Sequence, residues 1–304
     1  MTARPSMGPA RALVAFVAVV SASCATPLMK LPAGPGALAP DAADLLAQAT
    51  STCRGIRTFT AEIAVSGSVG ANKTRGRLLA GLAVPASARL EAVAPFGEPF
   101  FIFAAIGNDA TLLLPRDQRV LEHGPPDAVL EAIAGVPLGA AELRATLTAC
   151  TAGAADPAGA RQLGDMWRTV PVGPDHDVYL HRDSTSAPWR LVASVRRAAG
   201  SQRGWRAEYH DFQNDLPRAV RLTSESAGPS GFDLQLLLSQ VETNVPLGPE
   251  VFRVQIPASA DPISLEELKR VGPLAPPRGK TQAKLGDPPL SGPLAEQPSA
   301  AYVR

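Results

Sequence analysis

The 304-residue sequence has no apolar run long enough to cross a bilayer: its longest, Ala12 to Val20, is about nine residues, where a spanning helix needs about 20. A permanent transmembrane helix is not expected. An excess of charge is also missing, with 29 basic against 28 acidic residues and no basic block, which argues against nucleic acid as a partner. Histidine is scarce, and no Gly-x-Ser-x-Gly elbow supplies a nucleophile for His123, His176, His181 or His210 to serve. A hydrolase built on His176 or His210 is therefore the weakest functional reading. Asp175, His176, Asp177 and His181 gather metal-ligand types. However, His176 and His181 are an odd number of residues apart and face opposite ways in an extended segment. No metal or other cofactor is expected. Trp167, Trp189 and Trp205 fall on separate strand segments and read as core, not as a cofactor platform.

Cysteines number three: Cys24, Cys53 and Cys150. Before Cys24 stand the parts of an export signal: basic Arg4 and Arg11, the apolar run, then small Ser21, Ala22 and Ser23. Ser21-Ala22-Ser23-Cys24 resembles the bacterial lipobox, although Ser21 stands where that motif has Leu, Val or Ile. The resemblance implies a signal peptide over residues 1–23 and acyl chains on Cys24; the alternative is ordinary cleavage that leaves a plain thiol. With Cys24 acylated, Cys53 and Cys150 remain as a pair in an oxidising compartment, where a disulfide is the default and two buried thiols the alternative. Residues 24–40, rich in Pro, Gly and Ala, read as a tether, and residues 272–304 as a disordered Pro-rich tail. One folded domain is expected over residues 41–271.

Inside that domain Asp41 can cap a helix over residues 42–52. Then the period changes to two. Phe59, Ala61, Ile63 and Val65 alternate with polar neighbours, and short strands follow around residues 77–82, 88–93, 100–106, 110–114 and Val120. The run Gly67 to Thr74 is one glycine short of a phosphate-binding loop, but the strand-like Arg75-Gly76-Arg77-Leu78 follows where a helix would have to begin, so it reads as a hairpin turn. Val129, Leu130 and Ile133 mark a helix ended by Gly135, and Leu143, Leu147 and Cys150 mark a second. Strands resume from Met166 to Val241, with an extended piece at Val251 to Ile256 and a helix opened by the capping box Ser264 and Glu267. Arg196, Arg197 and Arg203 bracket Gly200 in a basic hairpin tip. About eleven short strands with helices inserted at their middle is an α+β pattern. Twist curls such a sheet into an unclosed antiparallel barrel, and the helices form a lid over an apolar cavity.

The loop Pro95-Phe96-Gly97, stiffened by Pro95 and Pro99 between two strands, can hold Phe96 outward as a membrane or partner contact; the alternative is that Phe96 folds onto the core. This chain resembles the LolA/LolB-like lipoprotein carriers, most closely the outer-membrane receptor LolB. Pro95-Phe96-Gly97 stands where that family has Pro-Leu-Gly, and Ala134-Gly135-Val136-Pro137-Leu138, Leu143-Arg144, Trp205 and Tyr209 match further segments. The resemblance implies a half-open barrel whose cavity takes acyl chains of lipoproteins, with Phe96 helping to insert cargo into the outer membrane. Lining candidates are Phe59, Ile63, Val65, Phe101, Phe103, Leu130, Ile133, Leu143 and Leu147. Expected partners are acyl chains of lipoproteins or other lipids, the outer membrane on its periplasmic side and a periplasmic LolA-like carrier; a monomer is expected. The alternative function is a structural or sensory envelope lipoprotein that binds a protein partner at the cavity rim.

Overall fold

The structure, a computed structural model, describes residues 27–94, 97–200, 202–225 and 231–271. Residues 1–23, expected to be a signal peptide, together with Cys24 and residues 272–304, lie outside the described residues. The chain divides into two compact units, Met1–Leu31 and Pro32–Arg304. In the first, the described residues 27–31 form neither helix nor strand.

The second unit holds a large open sheet of fifteen strands, not closed on itself, with a few helices. Its elements are β1 (Ala37–Leu38), α1 (Ala42–Ala49), α2 (Ser51–Arg54), β2 (Thr58–Val69), β3 (Asn72–Ala83), β4 (Ser87–Val93), β5 (Ile102–Ile106), β6 (Asp109–Leu114) and β7 (Arg119–Gly124). There follow α3 (Pro126–Ala134), α4 (Ala140–Leu147), β8 (Arg161–Gln162), β9 (Trp167–Gly173), β10 (His176–His181), β11 (Arg190–Arg196), β12 (Trp205–His210), β13 (Ala219–Ser224), β14 (Phe232–Thr243), β15 (Asp261–Pro262) and α5 (Leu265–Val271). The two halves of the chain are joined by β14 pairing with β2. Every pairing is antiparallel except β15 with β7.

Alternation puts one apolar face inward. Ala61, Ala80, Leu90, Phe103, Leu112 and Leu121 are successive cross-strand partners from β2 to β7, and all are buried. Each large side chain in that row contributes roughly 1.5–3 kcal/mol by leaving water. The P-loop-like run is the β2–β3 hairpin: Val69 pairs with Asn72 across the turn. Gly67 has φ +141°, and a Cβ there would meet the carbonyl oxygen of Asp233 at 2.0 Å, so only glycine lets β14 approach.

Several expectations need correction. Strands number fifteen, not about eleven, because β1, β8 and β15 have two residues each and show no period. Ala37 and Leu38, read as tether, pair with Gln162 and Arg161. The piece from Val251 to Ile256 is not a strand: Pro249–Phe252 is a 3-10 turn lying on β4 and β5. Asp41 does not cap α1; its carboxylate takes two donors from Arg168, at 3.2 and 3.1 Å. Of the capping box at α5, Ser264 accepts from the Glu267 amide at 3.1 Å, while the Glu267 carboxylate pairs with Arg119.

Candidate functional site

The helices sit on the apolar face of the sheet. Helix α4 packs against β3 and β4, α3 against β6 and α5, and α1 against β9, β10 and β11. Of the lining candidates, Phe59, Ile63, Phe101, Phe103, Leu130, Ile133, Leu143 and Leu147 are buried in one cluster, and Val65 packs against it half-buried. The sequence-predicted residues thus come together, with side chains of α3 and α4 filling the space over the sheet. Two cavities among the described residues lie elsewhere. One of about 520 Å³ lies between α1–α2 and the β10–β11 loop, with Leu45, Trp189, Arg190 and Phe212 among its walls. The other, about 380 Å³, lies on the outer face under Leu247 and Val251.

The α3–α4 hairpin is held differently at its two ends. Cys53 and Cys150 form a disulfide with Cα atoms 5.8 Å apart, which ties the end of α4 to α2 at the start of β2. At the opposite end lies the α3–α4 turn. Gly135 ends α3 in the left-handed conformation (φ +71°) and approaches Val69 at the β2–β3 turn. There the attachments are ion pairs to the β11–β12 hairpin: Glu131 of α3 to Arg203 at 2.9 Å, and Glu142 of α4 to Arg196. Glu142 also accepts the Gly139 amide at 3.1 Å. The basic tip around Gly200 is therefore not merely solvated, since Arg197 pairs with Asp177 as well.

The same rim carries the β4–β5 loop. Pro95 and Phe96 lie outside the described residues. Beyond them, Gly97 has φ +78°, and the Arg116 guanidinium donates to the Glu98 carbonyl at 3.1 and 3.0 Å while stacking 4.0 Å from the Phe100 ring. Phe100 is exposed whereas Phe101 and Phe103 are buried, as strand alternation requires.

One cluster was not read from the sequence. His176, Ser194, Trp205 and Tyr209 share the inward face of β10–β12: His176 pairs with Arg196 and Arg196 with Trp205, while Val178 pairs with Ser194 and Ser194 with Ala207. His176 Nε2 lies 2.7 Å from Ser194 Oγ, and the Tyr209 hydroxyl also hydrogen-bonds Ser194. Burial, reinforced by Arg196, lowers the His176 pKa to about 4, so the ring is neutral at neutral pH; burial raises the Tyr209 phenol. The alternation of His176, Val178 and Leu180 was the available signal. Ser194 was hidden because Leu191 to Ser194 are all buried, with no alternation to show which face each takes. Here a hydroxyl does meet a histidine. Yet among the described residues no carboxylate hydrogen-bonds His176, and the neighbouring Asp177 is paired with Arg197, so the orienting third member of a catalytic triad is lacking.

The remaining candidates stand apart. His181 faces outward and packs its ring 4.3 Å from Trp167, and His123 is exposed with Nδ1 3.1 Å from Asp109. His210 lies 3.6 Å from Glu208, which is paired with Arg206. Of the three tryptophans only Trp205 is core; Trp189 stands at a loop end with the guanidiniums of Arg168 and Arg182 over its ring at 4.9 and 4.7 Å.

No protein-family model matches the chain, and no curated protein sequence matches it either. Among solved structures it is similar to a LolA superfamily protein from Nitrosomonas europaea, at 14% identity and a TM-score of 0.48, covering 69% of this chain and 96% of that one. It is similar to a Vibrio parahaemolyticus domain described as that of an outer membrane lipoprotein-sorting protein, at 12% identity and a TM-score of 0.43, covering 70% and 97%. A third is the Mycobacterium tuberculosis lipoprotein LppX, at 15% identity and a TM-score of 0.28, covering 67% and 97%.

Proposed function

We propose that the protein is an envelope lipoprotein, anchored through Cys24 to the periplasmic face of the outer membrane, that takes acyl chains between its helical hairpin and its sheet. It receives lipoproteins or lipids from a periplasmic carrier of the LolA kind and passes them to the membrane. The observation that carries this reading is the asymmetric attachment of α3–α4 over an apolar sheet face. A covalent tie holds one end, and ion pairs, one of them partly exposed, hold the other. Swinging the hairpin out at the ion-paired end exposes Leu130, Ile133, Leu143 and Leu147 opposite Phe59, Ile63 and Phe103. An acyl chain can replace those contacts at about 0.8 kcal/mol per buried CH₂. Release then needs only a bilayer as a competing sink, with no covalent step, so the reading is of a binding protein and not an enzyme.

Purification from the native envelope in mild detergent, followed by mass spectrometry of the intact protein and its extract, tests this. Expected are an acylated Cys24 at the mature N-terminus and a stoichiometric acyl ligand. An unmodified Cys24 would remove the anchor. Absence of any acyl ligand, together with retention of a protein at the rim, would favour the structural or sensory reading.

A further inference from the structure

We infer that the row His176, Arg196 and Trp205, with Ser194 behind it, is a subsite for the carbonyl group at the head of an acyl chain, an ester or an amide, and that the Trp205 indole N–H is its donor. The inference rests on the functional reading above and adds a chemical specificity to it. An apolar cavity alone grips any hydrocarbon of the right length. This interior is not purely apolar, for on the inward face of β10–β12 it carries an imidazole, a hydroxyl and a phenol that satisfy one another. The indole does not join them. Trp205 is 2% exposed, and its Nε1 has neither solvent contact nor a hydrogen-bond partner among the described residues. Leaving such a donor unpaired is costly, and most buried N–H groups in folded proteins find an acceptor.

The surroundings explain what the donor waits for. The His176 ring stands edge-on to the indole at 5.3 Å, and the Arg196 guanidinium lies 5.7 Å from it. Arg196 is in turn tied to Glu142 on α4. Arg196 thus links the indole to α4, and withdrawal of α4 frees the arginine at the rim where a chain would enter. With the hydrocarbon lying over Phe59 and Ile63, the polar head remains at that rim. A carbonyl oxygen there accepts from Trp205, and neutral His176, already bonded to Ser194, adds no competing charge. The unpaired donor burdens the closed, empty form, and a ligand carbonyl relieves it.

The test titrates full-length protein with a diacylglyceryl lipopeptide and with phosphatidylethanolamine, each as the ester and as the ether that lacks the carbonyl. Wild type is expected to hold the ester of its preferred lipid roughly three- to tenfold more tightly than the ether. Trp205→Phe should erase that difference, with removal of the unsatisfied donor offsetting part of the stability lost to the smaller ring. Which lipid shows the effect identifies the source of the acyl chain. Equal binding of ester and ether by wild type, or a preference that survives in Trp205→Phe, overturns the subsite but leaves the acyl cavity standing. Failure of all four lipids to bind overturns the cavity and the subsite with it.

Discussion

At the scale of single residues, His176 has the clearest consequence for stability. Its ring is buried and neutral, and its pKa falls from the ordinary value of 6.5 to about 4 on folding. The unfolded chain therefore binds a proton between these two values that the folded chain does not. Stability rises with pH across that window and is lost as pH falls from about 6.5 toward 4, by up to about 3 kcal/mol from this group. Carboxylates titrate in the same range, so the difference between variants is the informative quantity. His176→Gln keeps a hydrogen-bonding partner for Ser194 and removes the proton site. Urea denaturation at pH 7.5 and pH 5 should show a smaller loss on acidification for the variant than for wild type. Equal losses would mean that water reaches the ring.

At the scale of elements, the α3–α4 hairpin has a strong tie and a weak one, and they should fail differently. The disulfide spans 97 residues of sequence, for which the chain-entropy model gives about 4–5 kcal/mol. Cys53→Ser with Cys150→Ser should lower stability by a few kcal/mol, and amide exchange should quicken first in α3 and α4. At the other end the Glu131–Arg203 pair is partly exposed, with side chains 42% and 27% accessible for Arg203 and Glu131, so it is worth less than about 1 kcal/mol, whereas Glu142–Arg196 is more buried. Glu131→Lys should shift the melting temperature little, yet speed uptake of a fluorescent fatty acid several-fold. Unchanged uptake would mean that the hairpin does not open at that end.

How far these elements were legible depends on their length. Strands such as β2 declare themselves because five or more residues alternate, and Gly135 and Pro137 punctuate the helices. Two-residue strands have no period to read, so β1 passed as tether. Asp41 looked like a cap because a carboxylate before a helix usually is one, but a guanidinium 127 residues away competes successfully for it. The disulfide was reachable by elimination among three cysteines. The polar row on β10–β12 was not, because β11 is buried on both faces from Leu191 to Ser194 and shows no alternation.

At the scale of the whole second unit, the turn of the α3–α4 hairpin, its ion pairs to the β11–β12 hairpin, the β2–β3 turn and the β4–β5 loop all gather at one rim, and the disulfide lies at the other. A chain leaving the cavity would leave by that rim, beside Gly97 and the exposed Phe100. If that loop meets the bilayer, a change at its tip should impair transfer without unfolding the protein. Phe103 provides the contrast. It is fully buried, paired with Leu90 and Leu112, and part of the apolar face itself. A carboxylate there is left without a partner in a low-dielectric interior and should cost several kcal/mol or prevent folding. A carboxylate at Phe96 should leave the melting temperature almost unchanged and reduce transfer of a lipopeptide to vesicles, most strongly when the vesicles contain anionic lipid that repels it. Thermal denaturation and vesicle transfer of Phe96→Glu and Phe103→Glu, measured side by side, decide between the two readings of the loop. Should Phe96→Glu unfold as readily as Phe103→Glu, Phe96 belongs to the core and membrane contact must be sought elsewhere on the rim, starting with the exposed Phe100.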